Sequence, residues 1–446
     1  MYDLIVIGAG PGGYEAAGYA GRMGKKVALI EKQWIGGTCL NVGCIPTKAF
    51  LKSAQVFSEC KNAAAYGVDV SPPQIRMPAV IERKNRIVGT LTRGVEGMLK
   101  RSGVEVIRGC AKLAGRGAVQ VGSETYAGRN ILIATGSRPA VPPIPGIDSP
   151  AVLDSTSVLD LAEVPRKLAI IGGGYIGLEF AGFFAALGTE VTVIEMLPRV
   201  AAGMDSDIAN RLAQALKKSG VEIKTGCAVQ SIDGNTVHYE GGSVCADYIL
   251  NATGRAPVVE DLGLEAVGVD FDRKGIKASD RGATNVPGIW ACGDVTGRRL
   301  LAHAATREGI VAVNNMFGKP DRLRYDSIPS VIYTHPEAAS VGATEDELKQ
   351  RGIEYRKATV PMGVSGRFLV ENEGGSGLLK VLAGAQYGEI LGVHALGDFS
   401  SEFIVAAAAL IELEMRASDA AGIVFPHPTV SEALKQALDE LAQQES

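Results

Sequence analysis

Cysteine is sparse in this chain, and the cysteines present do not make a scaffold. Seven of them (Cys39, Cys44, Cys60, Cys110, Cys227, Cys245 and Cys292) are scattered over 446 residues, an odd number too dispersed for a structural disulfide framework. Long apolar runs are missing as well. The nearest, FIVAAAALIELEM beginning at Phe403, already carries glutamates and falls short of the ~18 apolar residues that a membrane span needs. Positive charge is not in excess: a net charge of −4 gives no electrostatic reason to bind nucleic acid or an anionic membrane. The opening MYDLIVIGAG has no basic segment with a cleavage site and reads as a buried strand entering a glycine turn. These absences point to a reduced, cytoplasmic protein, in which a disulfide would be catalytic rather than structural.

What is present is a chain too long for one hydrophobic core, with a soft expectation of about three domains. An apolar content of 46% and a charged content of 21% are those of an ordinary globular protein. Glycine is the one excess, at 56 residues, and suggests tight turns and close backbone approach to something bound.

Many of those glycines belong to an internal repeat. In LIVIGAGPGGYEAAGYAGRMGKKVALIEK an apolar run leads into Gly8, Gly10 and Gly13, then a helix-compatible stretch, then a strand closed by Glu31. LAIIGGGYIGLEFAGFFAALGTEVTVIE repeats it with Gly172, Gly174, Gly177 and Glu195, at the same interval from first glycine to acid. The first glycine permits the strand-to-helix turn, the second lets the backbone approach a pyrophosphate, and the third lets helix pack on sheet. The terminal acid can accept ribose hydroxyls. One such fingerprint is weak, but two in matching strand–turn–helix–strand context predict two dinucleotide sites. Glu195 would repel a 2′-phosphate, which favours NAD over NADP; Arg199 is the nearest cation that could argue otherwise.

Helices are expected over 45–60 and 75–102, the first opened by Pro46. NILIATGSRPAVPPIPG reads as a strand and a proline-rich turn, with a boundary near residue 146, and YILNATGRAP repeats its strand–ATG pattern. TNVPGIWACGDVTG is a further strand ending in Gly-Asp. Beyond Lys319 come short strands (SVIYTHPEAASVG, GLLKVLAG, EILGVHALG) and helical stretches over 400–415 and 429–444. The expected fold class is α/β, with two Rossmann-like dinucleotide-binding domains and a C-terminal α+β domain. The charged clusters RRLLAH and EDELKQR are taken as solvated faces.

GGTCLNVGCIPTK holds two cysteines, Cys39 and Cys44. A zinc site would want a second Cys or His pair close by, and none is there, so no metal is expected. Two inert buried thiols and a redox pair remain. For the second, Cys44 precedes the helix opened at Pro46, and Lys48 lies within one turn; both favour a thiolate. A buried lysine there would need a partner such as Glu179. His427 sits between two prolines, as an ordinary turn residue would, but Glu432 lies five positions on and could hold an imidazole as a base near neutral pH.

Taken end to end, GGTCLNVGCIPTKAFL, GGGYIGLE, ACGDVTG, LLAHAATREG, IPSVIYTHPEAASVG and HPTVSEAL stand in one order. In that order the chain resembles the flavoprotein disulfide reductases, and within them the dihydrolipoamide dehydrogenase branch. The resemblance implies FAD on residues 1–146, completed by 270–319, NAD on 147–269, and a homodimer interface over 320–446. Glu31 would meet the adenosine ribose and Asp294 the ribityl chain. Gly37, Thr38, Ala111, Thr135, Gly136, Leu301, Ala302 and His303 would line the FAD, and Gly254 the NAD. Tyr175 or Ile176 would lie where nicotinamide docks, while His335 would be structural. By the same resemblance Cys39 is the interchange thiol, Cys44 faces the flavin, and Lys48 sits by the hydride-accepting nitrogen and pairs with Glu179. His427, oriented by Glu432, would be the acid–base group given by the partner subunit. The implied reaction is oxidation of a dihydrolipoyl group on a carrier protein of a 2-oxo acid dehydrogenase, glycine cleavage or other lipoate-dependent system.

Rival readings are weaker. Glu195 opposes a glutathione or trypanothione reductase, LDELAQQES lacks the cysteine pair of mercuric reductase, and soluble transhydrogenase lacks the full pair present here. A flavoprotein kept only for docking would not need Cys39, Cys44, His427 and Glu432 together. Two positions depart from the branch pattern: Phe425 stands where a second histidine is usual, and Val258 where an asparagine is.

Overall fold

The computed structural model describes residues 1–445. Its first sheet is built on Tyr2–Ile7, whose last four residues are all buried, as expected of a strand covered on both faces. Val27–Glu31 lies on one side of it and Glu124–Ile133 on the other, both parallel, with Glu105–Arg108 beyond the former. Glu124–Ile133 is also the last strand of an antiparallel meander with Ala111–Gly115 and Ala118–Val121. The second sheet repeats this order: Val221–Thr225, Glu190–Glu195, Lys167–Ile171, Tyr248–Asn251 and Val152–Leu153, all parallel. After it the chain returns to the first sheet, where Ile289–Ala291 pairs in parallel with Glu124–Ile133. The second nucleotide module is thus inserted into the first.

The C-terminal part is a five-stranded antiparallel sheet in the order Ser330–Ile332, Ala338–Gly342, Ile390–Leu396, Leu378–Gly384, Tyr355–Pro361. Helices Ser400–Glu412 and Glu432–Glu445 pack against it. Its last strand, Tyr355–Pro361, was not legible beforehand, because EYRKATVP alternates too weakly to separate from a loop. Among the described residues, no helix is long and apolar enough to cross a membrane.

Two expectations are corrected. The helix expected to open at Pro46 is Cys44–Lys61. The Thr47 N–H reaches the Gly43 carbonyl at 3.1 Å, which makes Cys44 the first helical residue. Pro46 is third, where an N–H would still have no intrahelical partner. The cluster EDELKQR is not wholly a solvated face, because Glu345 is buried. Its carboxylate receives Lys380 Nζ at 2.8 Å, and Lys380, fully buried on the strand Leu378–Gly384, also reaches Asp205 Oδ1 at 2.8 Å and Asp207. Asp205 caps the helix Ser206–Lys218 of the second module by accepting from the Asp207 N–H. This buried cluster therefore joins the second module to the C-terminal sheet.

Burial alone would push the Glu345 carboxyl up, but hydrogen bonds from Lys380, Tyr355, Lys349 and Lys357 hold it well below its ordinary range. A carboxyl so lowered contributes stability above its unfolded value of about 4.3 and loses it as pH falls through the folded value. Lys380→Met, which strands buried carboxylates, should cost about 3–5 kcal/mol at neutral pH. In urea melts the deficit relative to wild type should shrink below about pH 4.5, as those carboxyls protonate.

Candidate functional site

Both glycine turns solve the same problem of space. At Gly8 (φ +102°) a Cβ would lie 2.3 Å from the Ala134 carbonyl oxygen; at Gly172 (φ +109°) it would lie 2.4 Å from that of Ala252. At Gly13 and Gly177 it would collide with the Gly8 and Gly172 oxygens, at 1.8 and 2.0 Å. A Cβ at Gly10 or Gly174, by contrast, would meet nothing within 4 Å. The outer glycines are fixed by the protein's own backbone, and the middle ones border open space at a helix N-terminus, which is where a pyrophosphate sits.

The acids close these turns. Glu31 accepts from the N–H groups of Ala9 (2.7 Å), Gln33 (2.6 Å) and Trp34 (3.2 Å). Glu195 accepts from Gly173 (2.6 Å) and Leu197 (2.7 Å). An ionised carboxylate has about four lone-pair sites, so both keep capacity for a ribose hydroxyl. Arg199, four residues on from Glu195, pairs with Asp346 at 3.1 Å.

Other expected contact residues surround the first module. Gly37 (φ +59°) lies so close to Gly10 that a Cβ would sit 2.5 Å from its Cα, and Thr38 follows it in the short helix Gly37–Val42. Thr135 Oγ1 donates to the Val258 carbonyl at 2.7 Å, and Val258 N–H donates to Gly136. Val258 thus works through its backbone. Gly136 (φ +71°) and Gly254 (φ +131°) both border open space. Ala111 opens the meander strand, and Leu301 and Ala302 begin the helix Ala302–Met316. His303 Nε2 meets the Pro329 carbonyl at 2.8 Å, and His335 pairs with Asp398 at 3.1 Å. Asp294 lies at the end of Ile289–Ala291, its carboxyl pushed up by burial. It accepts from the Ser137 hydroxyl, which in turn accepts from Arg255 Nε at 2.7 Å. Ser137 and Arg255 each follow an ATG, which is the one local signal for them in the sequence.

Cys39 and Cys44 are free thiols on two helices that meet at Gly43. They share a hydrogen bond: it lowers Cys44, with Lys48 assisting against burial, to about 7, and pushes Cys39 up together with burial. Cys44, at the first position of its helix, is exposed in the protein alone, and Cys39 is half-buried.

One turn on, Lys48 Nζ reaches both Glu179 oxygens at 2.9 Å. The helices that carry them also join Phe50 to Phe183, ring centroids 5.1 Å apart. Tyr175 and Ile176 open the second of these helices and are partly buried. Glu179 accepts a third bond, from the Tyr333 N–H at 3.0 Å, and Lys48 Nζ stands 4.3 Å from the Tyr333 ring centre. Tyr333 went unmarked within its motif.

His427 and Glu432 form a separate group on the C-terminal part. His427 Nδ1 meets Glu432 Oε1 at 2.8 Å, while the other oxygen accepts from Thr429 N–H at 2.9 Å. The bond from His427 and that N–H hold the Glu432 carboxyl below its ordinary range. The imidazole is 79% exposed, and among the described residues no hydrogen bond links it to either thiol. Phe425 packs against the C-terminal core. A cavity of about 820 Å³ lined by Arg324, Leu348, Tyr387 and Arg416 contains none of these groups.

Residues 2–309 match the pyridine nucleotide-disulphide oxidoreductase family, and residues 328–438 its dimerisation domain. Dihydrolipoyl dehydrogenase 3 of Pseudomonas aeruginosa is 41% identical, over 98% of this chain and 97% of its own. Dihydrolipoyl dehydrogenase of Thermus scotoductus is 40% identical, over 99% and 98%. Among solved structures, the HOCl-induced flavoprotein disulfide reductase RclA of Escherichia coli superposes with a TM-score of 0.87 at 31% identity, over 98% of this chain and 99% of that one.

The space at the glycine turns predicts different failures for neighbouring substitutions. Gly10→Val should leave the apoprotein's thermal midpoint near wild type while FAD is lost on gel filtration. Gly13→Ala should fail to fold or should melt several degrees lower, because its Cβ collides with backbone.

Proposed function

Because the chain belongs to the pyridine nucleotide-disulphide oxidoreductases, we propose that it is a dihydrolipoyl dehydrogenase, an NAD-dependent flavoprotein that oxidises a protein-bound dihydrolipoyl group. The observation that carries this reading is one helix start that places Cys44 beside Cys39 and one turn before the Lys48–Glu179 pair. The domains are those expected above: FAD on 1–146 and 270–319, NAD on 147–269, the dimer on 320–446. The carrier belongs to a lipoate-dependent complex, and the setting is the cytoplasm.

The cycle begins from the Cys39–Cys44 disulfide. His427 of a second copy takes the proton of a substrate thiol on Nε2, while Glu432 on Nδ1 fixes the tautomer and stabilises the imidazolium. The substrate thiolate attacks Cys39 Sγ, the Cys39–Cys44 bond breaks, and Cys44 leaves as a thiolate near Lys48. The second substrate thiol loses its proton to solvent and attacks the mixed disulfide, and Cys39 leaves with the proton returned by His427. One substrate dithiol has become a disulfide, and the enzyme disulfide has become a thiol at Cys39 and a thiolate at Cys44, with one proton released. FAD, held in the first module beside Cys44 and Lys48, would supply the two-electron relay from that thiol–thiolate pair to NAD⁺. Exposure of His427 within the protomer supports its service across the dimer, because a base for its own thiols would be turned toward them.

Mixed anaerobically with dihydrolipoamide, the holoenzyme should develop long-wavelength thiolate–flavin absorbance, and NAD⁺ should then yield NADH. Neither signal appearing would overturn the assignment. Cys44→Ser should abolish that absorbance and Cys39→Ser preserve it. His427→Gln should lower kcat about 100-fold or more.

A further inference from the structure

Tyr333 touches the ion pair twice, with different groups. Its main-chain N–H gives Glu179 Oε1 a bond at 3.0 Å, and its ring lies 4.3 Å from Lys48 Nζ. It comes from neither nucleotide module but from the C-terminal part, directly after the strand Ser330–Ile332. Tyr333 is 37% exposed, its hydroxyl has no hydrogen-bond partner among the described residues, and burial pushes that hydroxyl up, so it is neutral.

The consequence for Lys48 is geometric. An ammonium on a four-carbon stem is mobile and strongly hydrated. Here its side chain keeps only 32% exposure, and Glu179 binds it on one side while the ring face replaces water on another. An aromatic face attracts a cation through its quadrupole. Glu179 in turn cannot swing away with Lys48, because the Tyr333 N–H anchors one of its oxygens.

We propose that Tyr333 is a positioning residue: its ring and N–H hold the Lys48–Glu179 pair, and through Lys48 the C-terminal domain sets the electric field at the Cys44 sulfur. The proposal rests on the reading above in giving the Cys44 thiolate a role in turnover. The charged and titratable groups around that sulfur are Cys39, Lys48, Glu179, Arg255 and Tyr333. Lys48 favours the thiolate and Glu179 opposes it, so what matters is where the ammonium stands relative to the carboxylate. A Lys48 no longer held against the ring spends more time in water, its field at Cys44 weakens, and the thiolate forms at higher pH.

The test is the pH dependence of Cys44 alkylation by iodoacetamide, followed by peptide mass in FAD-loaded Cys39→Ser protein. Adding Tyr333→Phe should leave the midpoint within about 0.2 units, since the hydroxyl has no partner. Tyr333→Leu and Tyr333→para-cyanophenylalanine should each raise it by about 0.5–1 unit, the size of one cation–π contact. The cyano variant keeps the ring's shape and weakens its quadrupole, so it decides the matter if the leucine variant does not fold. In a Lys48→Gln background both shifts should vanish. Unmoved midpoints in the leucine and cyano variants would overturn the proposal, as would a shift that persists without Lys48 or one of equal size in Tyr333→Phe. Dihydrolipoamide turnover is not the readout, so failure of the dihydrolipoyl assignment would leave this result standing and failure here would leave that assignment standing.

Discussion

An ion pair that is largely removed from water is held together only if its surroundings replace what hydration supplied. The Lys48–Glu179 pair meets that condition with groups from three parts of the fold. The first module supplies the ammonium, the second the carboxylate, and the C-terminal part an N–H and an aromatic ring. None of the three is adequate alone: Glu179 is 7% exposed, and without Lys48 it would be a buried charge facing one N–H. The relative placement of two nucleotide modules and the C-terminal sheet is therefore coupled to a charge one helical turn from the reactive thiol. Phe50 and Phe183 give the same helix contact an apolar half, so geometry and charge are fixed by one interface. The Lys380 cluster makes a second such junction farther from the chemistry, between the second module and the C-terminal sheet.

The two nucleotide modules show how far a backbone problem limits sequence. The same strand order, the same pair of colliding glycines and the same acid accepting N–H groups of the turn recur in both. What differs lies beyond the repeat. The first module adds a meander and takes Cys39 and Cys44 onto helices beside its glycine turn. The second adds the three-stranded sheet Val229–Asp233, Thr236–Tyr239, Gly242–Cys245 and presents Glu179 from its own glycine helix. Common backbone constraints thus carry different side-chain chemistry.

Most of this was legible because it is local. Glycine spacing, the acid ending each strand, a helix beginning near Cys44 and a carboxylate five residues after His427 are relations within short windows. Helix ends were close, with Met77–Arg101 found where 75–102 was expected. The misreadings concern partners distant in sequence. Glu345 reads as one acid among several in a charged run, and Lys380 as one cation in an apolar strand; only the tertiary fold brings them to 2.8 Å. Tyr333 stands inside IPSVIYTHPEAASVG, yet its contact with Glu179 spans 154 residues and that with Lys48 is longer still. Pro46 was misplaced by two positions because the Gly43 carbonyl, not the proline ring, sets the first turn.

Insertion of the second module between Glu124–Ile133 and Ile289–Ala291 bears on the order in which the molecule can be made. The first sheet gains its last parallel strand, and its glycine helix gains the covering helix Ala302–Met316, only after the second sheet has left the ribosome. The nascent first module therefore waits with an open edge and an uncovered helix while a complete second module is synthesised. The inserted module has all of its strands before the first does, and the module that begins the chain can be completed only around it.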